Sequence, residues 1–121
     1  MPAGIRRGQG LDLAPVRELH ARDLERCLSD IVEALKRDET VKKIVLFGSY
    51  AKGRRDLFTD LDIMLVVESD LPYLKRLERY WKLIGDLIIV DLDLFVYTQD
   101  ELGNPVAREA MRTGKVLYEK G

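Results

Sequence analysis

Leu24, Cys27, Leu28, Ile31 and Leu35 recur in steps of three and four, the period of a single helix face. The pattern predicts a helix from Pro15 to about Asp38, and proline suits a first turn, where its missing N–H is no loss. Residues 42–47 (Lys-Lys-Ile-Val-Leu-Phe) read as a short buried strand, ended by Gly48-Ser49. Asp62 to Val67 form a second strand, rich in β-branched residues. Ser69-Asp70 then offers a cap for a helix with Leu74, Leu77, Trp81 and Ile84 on one side and Lys75, Arg76, Glu78, Arg79 and Lys82 around the other. Gly85 ends it. Residues 87–97 read as one long strand with carboxylates inside it. A short helix from Asn104-Pro105 to Thr113 and a last strand near Val116–Tyr118 complete the chain. The order α-β-β-α-β-α-β predicts a small α/β (α+β) domain with one mixed sheet flanked by helices.

Length and composition narrow the picture. A chain of 121 residues suits one compact domain that buries a core without disulfides. Residues 1–14 hold three of the nine glycines and Arg6-Arg7 without periodicity, so they are expected to be a flexible arm ahead of a single domain over 15–121. The lone Cys27 falls in the helical apolar pattern and is expected as a buried thiol. Lys and Arg total 20 against 21 Asp and Glu, so a dedicated nucleic-acid binder is not indicated, and nucleic acid is not the expected acceptor of any reaction. No apolar run reaches the roughly 18–20 residues of a membrane helix, and no secretory leader is visible. A cytoplasmic protein is expected. His20 stands alone, without a partner at metal-ligand spacing, and is expected to be structural. Tyr73, Tyr80 and Trp81 are expected in packing.

The chemistry concentrates in residues 44–62, Ile-Val-Leu-Phe-Gly-Ser-Tyr-Ala-Lys-Gly-Arg-Arg-Asp-Leu-Phe-Thr-Asp-Leu-Asp. Residues two apart on a strand share a face, so Asp60 and Asp62 project together at the start of an otherwise apolar strand. Two like charges side by side are costly unless a cation sits between them. Mg²⁺ prefers oxygen ligands of this kind. Asp91 and Asp93 share parity in the third apolar run, and one of the two would complete a three-carboxylate cluster if that strand lies beside the Asp60/Asp62 strand. Such a cluster suits one or two Mg²⁺ ions holding nucleotide phosphates. Gly48-Ser49 fits the same task. Glycine allows close backbone approach to a phosphate, and a helix starting there would add its positive end. Lys52, Arg54 and Arg55 place positive charge nearby. Gly48 to Gly53 has the glycine spacing of a P-loop, but Arg54-Arg55 stand where that motif needs Lys and Ser/Thr, so the match fails.

Gly48-Ser49 followed ten residues later by Asp60-Leu-Asp62 resembles the signature of the DNA polymerase β-type nucleotidyltransferase superfamily. The wider Gly-Ser-Tyr-Ala-Lys-Gly…Thr-Asp-Leu-Asp pattern, the later Val-Asp-Leu-Asp-Leu-Phe-Val-Tyr-Thr and the closing Gly-Lys-Val-Leu-Tyr-Glu resemble its minimal nucleotidyltransferase branch, over roughly residues 30–119. The resemblance implies that Gly48 and Ser49 bind the triphosphate of ATP or another NTP, with Lys52 and Arg54 beside them. It implies that Asp60, Asp62 and Asp93 are the catalytic and metal-binding carboxylates, with Asp93 orienting or deprotonating the attacking hydroxyl. Asp91 is then structural. Thr59 stands where serine is common. The resemblance further implies AMP transfer to an acceptor hydroxyl on a HEPN-type helical partner, as in an antitoxin, or an acceptor site completed by a homo-oligomer. The other reading is a non-catalytic antitoxin module that neutralises its partner by contact.

Overall fold

The computed structural model describes residues 12–121. The elements are α1 (Ala14–Lys36), β1 (Val41–Phe47), α2 (Gly48–Ala51), β2 (Leu61–Val67), α3 (Tyr73–Ile84), β3 (Leu92–Tyr97), α4 (Pro105–Thr113) and β4 (Lys115–Glu119). Residues 1–11, most of the expected arm, lie outside the described residues, and Ala14 already belongs to α1. The four strands form one mixed sheet in the order β3-β2-β1-β4. β1 is antiparallel to β2 and β4, whereas β2 and β3 run parallel, joined through α3. The mixed α+β architecture is the one the hydrophobic pattern predicts.

Strand alternation divides the sheet into two apolar faces. Leu61, Ile63, Leu65 and Val67 of β2 pack with Leu24, Cys27, Ile31 and Leu35 of α1 and with Tyr80 and Ile84 of α3. Cys27 is a buried free thiol, as expected. Met64 and Val66 point the other way, to Val45, Phe47, Ala107 and Ala110 under α4. Asn104 caps α4, its side-chain oxygen accepting the Ala107 N–H at 2.9 Å, and Pro105 follows it as the first helical residue. Gly114 lets β4 leave that helix closely: a Cβ there would lie 2.4 Å from the Ala110 carbonyl oxygen and 2.7 Å from Val45.

Three expectations need correction. The strand expected over 87–97 begins only at Leu92. Gly85–Leu87 form a 3₁₀ turn, and Ile88 and Val90 pack on the core from outside the sheet. The expected Ser69-Asp70 helix cap is not used, because α3 starts from Pro72, and Ser69 Oγ instead accepts the Leu71 N–H at 3.1 Å. On α3, Leu77, Trp81 and Ile84 join the core as the pattern predicts, but two positions differ. Arg76, placed on the polar side by periodicity, is 5% exposed, and Leu74, placed on the apolar side, is 76% exposed. Arg76 goes inside because its acceptors are there. It donates to the Val96 carbonyl at 3.1 Å, the Leu71 carbonyl at 3.0 Å and Glu101 at 2.6 Å, tying α3 to the β3 edge. Its Nε is the one buried side-chain polar atom left without a partner among the described residues.

Candidate active site

Phe47, the last residue of β1, lies opposite Asp62 of β2, and Asp62 lies opposite Asp93 of β3. These two acids therefore sit side by side on adjacent parallel strands. Asp62 is flanked by Leu61 and Ile63, which face the α1/α3 core, so its carboxylate projects to the other face. Asp93 alternates with Leu92 and Leu94 in the same way. Asp60 immediately precedes β2, and its charge acts on Asp62. Asp91, by contrast, is exposed ahead of β3, where its backbone carbonyl accepts the Leu61 N–H at 3.1 Å.

Gly48 closes the site from the β1 side. Its φ is +76°, a region that favours glycine. A Cβ at Gly48 would lie 1.9 Å from Asp62 Oδ2 and 2.8 Å from its carboxyl carbon. Only a residue without a side chain lets the backbone turn lie directly against that carboxylate. Ser49 follows in the single turn of α2, half-buried, and the Arg54 N–H donates to its carbonyl at 3.0 Å.

The electrostatics follow from this crowding. Burial pushes the Asp62 carboxyl up from 3.8 to about 6, and the Asp60 charge and a hydrogen bond and charge from Asp93 push in the same direction. Among the described residues, the Arg54 charge reaches the site through Asp60. Of the sequence-predicted cations, Arg54 is held by Asp56 at 2.6 Å, and Arg55 lies 3.5 Å over the Tyr50 ring while donating to the Tyr50 carbonyl at 2.8 Å. Lys52 is exposed, with its charge acting on Glu109.

Mg²⁺ was tested against this donor set. Three hard carboxylates, one of them destabilised by its neighbours' negative charge, match its chemistry. Among the described residues no three His, Cys, Asp or Glu side chains already close into a cage. Mg²⁺ is typically bound by one or two carboxylates together with waters and substrate phosphate.

The loop from Arg54 to Thr59, which sequence reading passed over as charge alone, is braced from within. The Asp56 carboxylate accepts from Arg54 and from the Phe58 N–H at 2.9 Å, and the Asp56 N–H donates to Thr59 Oγ1 at 3.0 Å. An Asp three residues before a Thr is the local signal of such a turn. His20 Nε2 contacts the Thr59 carbonyl at 2.8 Å, a contact that no local pattern announces.

Comparison with known proteins identifies the family and the fold. The sequence profile of the family described as "Polymerase beta, Nucleotidyltransferase" matches residues 29–121. The "Putative protein adenylyltransferase MJ0604" of Methanocaldococcus jannaschii is 33% identical over 101 residues, covering 78% of this chain and 97% of that protein. A "putative nucleotidyltransferase" crystal structure from Sulfolobus solfataricus shares the fold, with a TM-score of 0.53 at 14% identity over 95% of this chain and 94% of that one. A toxin–antitoxin crystal structure with AMP-PNP superposes with a TM-score of 0.55 at 25% identity, over 76% of this chain and 73% of that one. The extent of the profile match and of the M. jannaschii identity place this chain in the polymerase β nucleotidyltransferase family.

Proposed function

We propose that this nucleotidyltransferase transfers AMP from ATP to a hydroxyl of a partner protein, using Asp60, Asp62 and Asp93 with Mg²⁺. The observation that carries the reading is the in-register Asp62–Asp93 pair with Gly48 pressed against the Asp62 carboxylate. It joins a place for a phosphate chain to a place for divalent cations. Bound Mg²⁺ supplies the positive charge that neutralises the triphosphate and the departing pyrophosphate. Asp60 and Asp62 would hold the ions. The Gly48-Ser49 turn takes the β- and γ-phosphates on its backbone N–H groups and the Ser49 hydroxyl. Lys52 and Arg54 line the approach. Asp93 accepts the proton of the acceptor hydroxyl as its oxygen attacks the α-phosphorus and the bond to pyrophosphate breaks. Positioning and charge account for most of the rate in such a reaction.

The choice of AMP and of a protein acceptor is supported by the naming of the M. jannaschii relative as a protein adenylyltransferase and by the AMP-PNP present in the toxin–antitoxin structure. A helical HEPN-type toxin is the partner that the minimal-nucleotidyltransferase resemblance of the sequence implies, with this chain as the antitoxin. Residues 15–121 act as one catalytic domain in the cytoplasm, where ATP and Mg²⁺ are plentiful. The test incubates the full chain and its partner with α-³²P-labelled ATP and Mg²⁺. Label on a partner hydroxyl, absent with Asp62→Asn, is the expected result. An intact complex that stays unlabelled, with neutralisation preserved in Asp62→Asn, would establish the contact-only antitoxin instead.

A further inference from the structure

Thr59 is the residue through which the braced loop delivers the chain to Asp60. It is only 2% exposed. Its hydroxyl accepts the Asp56 N–H at 3.0 Å and lies 3.3 Å from the Asp56 carboxylate. Its carbonyl lies 2.8 Å from Nε2 of His20, a half-buried side chain of α1 that is 39 residues away in sequence. A carbonyl only accepts, so Nε2 carries the proton and donates. The Thr59–Asp60 peptide is planar, so fixing the Thr59 oxygen also fixes the Asp60 nitrogen and restricts where the Asp60 Cα–Cβ bond can point. Asp56 holds one side of this residue and His20 the other.

We infer that His20 is a positioning residue for Asp60, setting the carboxylate's approach to a divalent cation through the Thr59 carbonyl. The inference rests on the proposed role of Asp60 as a metal ligand. His20 lies in the first turns of α1, ahead of the profile match that begins at residue 29. Groups that orient a metal ligand without touching the metal commonly govern affinity, with losses of about 10- to 100-fold on removal. A brace acting through one peptide unit belongs at the lower end of that range.

The experiment measures Mn²⁺ binding to the full chain by electron paramagnetic resonance of the free ion, with thermal unfolding of the same samples. Wild type is compared with His20→Phe, His20→Gln and Asp60→Asn. His20→Phe, which fills the space without a donor, is expected to weaken Mn²⁺ binding about tenfold. His20→Gln, whose amide N–H reaches the same carbonyl, is expected to stay within about twofold of wild type. A purely structural His20 would lower the unfolding midpoint of His20→Phe and leave the Mn²⁺ affinity of the folded protein unchanged, which overturns the inference. If Asp60→Asn binds Mn²⁺ as tightly as wild type, the metal-ligand role of Asp60 fails and the inference falls with it. If Asp60→Asn binds weakly while His20→Phe matches wild type, the positioning role alone fails. Should His20→Phe not fold, His20→Asn replaces it. Its amide is too short to reach Thr59, and wild-type affinity in that variant would also overturn the inference.

Discussion

Replacing Asp62 by asparagine in the metal-free protein is expected to raise stability and at the same time abolish nucleotidyl transfer. The folded chain holds the Asp62 carboxyl at about 6, up from 3.8, through burial first and then through Asp60 and Asp93. An acid with a raised folded pKa is penalised when ionised. The penalty is complete above about pH 6 and is relieved as pH falls towards the unfolded value near 3.8. About two pK units at roughly 1.4 kcal/mol each set a ceiling of about 3 kcal/mol. Asp62 is only half-buried, and solvent screening reduces this to about 1 kcal/mol. Urea unfolding of wild type and Asp62→Asn in EDTA at about pH 8 and about pH 5 measures it, with curves fitted by linear extrapolation. The variant is expected to be more stable by about 1 kcal/mol at the higher pH and by about half that at the lower. Titrating groups that do not interact with Asp62 are common to both proteins and cancel in the difference. Mg²⁺ with ATP is then expected to stabilise wild type and leave the variant unmoved. An Asp62→Asn protein no more stable than wild type at about pH 8 in EDTA would refute the crowded-carboxylate account.

Other residues give independent tests. Gly48→Ala forces a Cβ to within 1.9 Å of Asp62 Oδ2 at a φ of +76°, so a loss of about 2 kcal/mol or more in urea unfolding is expected, together with loss of ATP binding by fluorescence titration. Arg76→Ala leaves Glu101 with only the Thr98 N–H and takes the Arg76 donor from the Val96 and Leu71 carbonyls, and calorimetry is expected to show a loss of about 3 kcal/mol. Glu101 is held below the usual 4.5 by the Thr98 backbone N–H first and then by Arg76, so its contribution to stability is present above about pH 4.5 and lost as pH falls through the lowered value. Glu101→Gln is therefore expected to flatten the acid limb of the stability–pH curve. Leu74→Ser is expected to change stability by less than about 0.5 kcal/mol, and Ile84→Ala to cost about 2–5 kcal/mol. A Leu74→Ser loss as large as that of Ile84→Ala would restore the α3 orientation that periodicity predicts, which puts both residues on the apolar side.

The strands were legible because their information is local. Ile44 to Phe47 and Ile63 to Val67 are short apolar runs bounded by turn residues, and parity alone put Asp60 and Asp62 on one side. The same parity gave Asp93 its facing, and only the adjacency of β2 and β3 had to be supplied by folding. What could not be read depended on partners distant in sequence. Arg76 looks like a surface residue until Val96 and Glu101, 20 and 25 residues further on, provide its acceptors. Residues 87–91 look like strand because they are apolar, yet Ile88 and Val90 bury themselves against the core without pairing in the sheet. Apolar character measures burial, and burial does not distinguish a strand from a packed irregular segment.

The donor and acceptor halves of the proposed reaction differ in the same respect. Triphosphate and Mg²⁺ are small, highly charged and unvarying, so their recognition demands particular residue types at fixed spacing: a glycine where no Cβ fits against Asp62, and carboxylates two apart or in register. An acceptor protein is large and can be met by many surfaces. Phe58, 83% exposed on the braced loop two residues before Asp60, shows how little a linear pattern says about such a surface. Its exposure follows from the Asp56 turn that holds its N–H, and not from any hydrophobic period. Residue spacing therefore reports donor chemistry directly, whereas acceptor choice resides in surface shape and is reached only by measuring which hydroxyl receives the AMP.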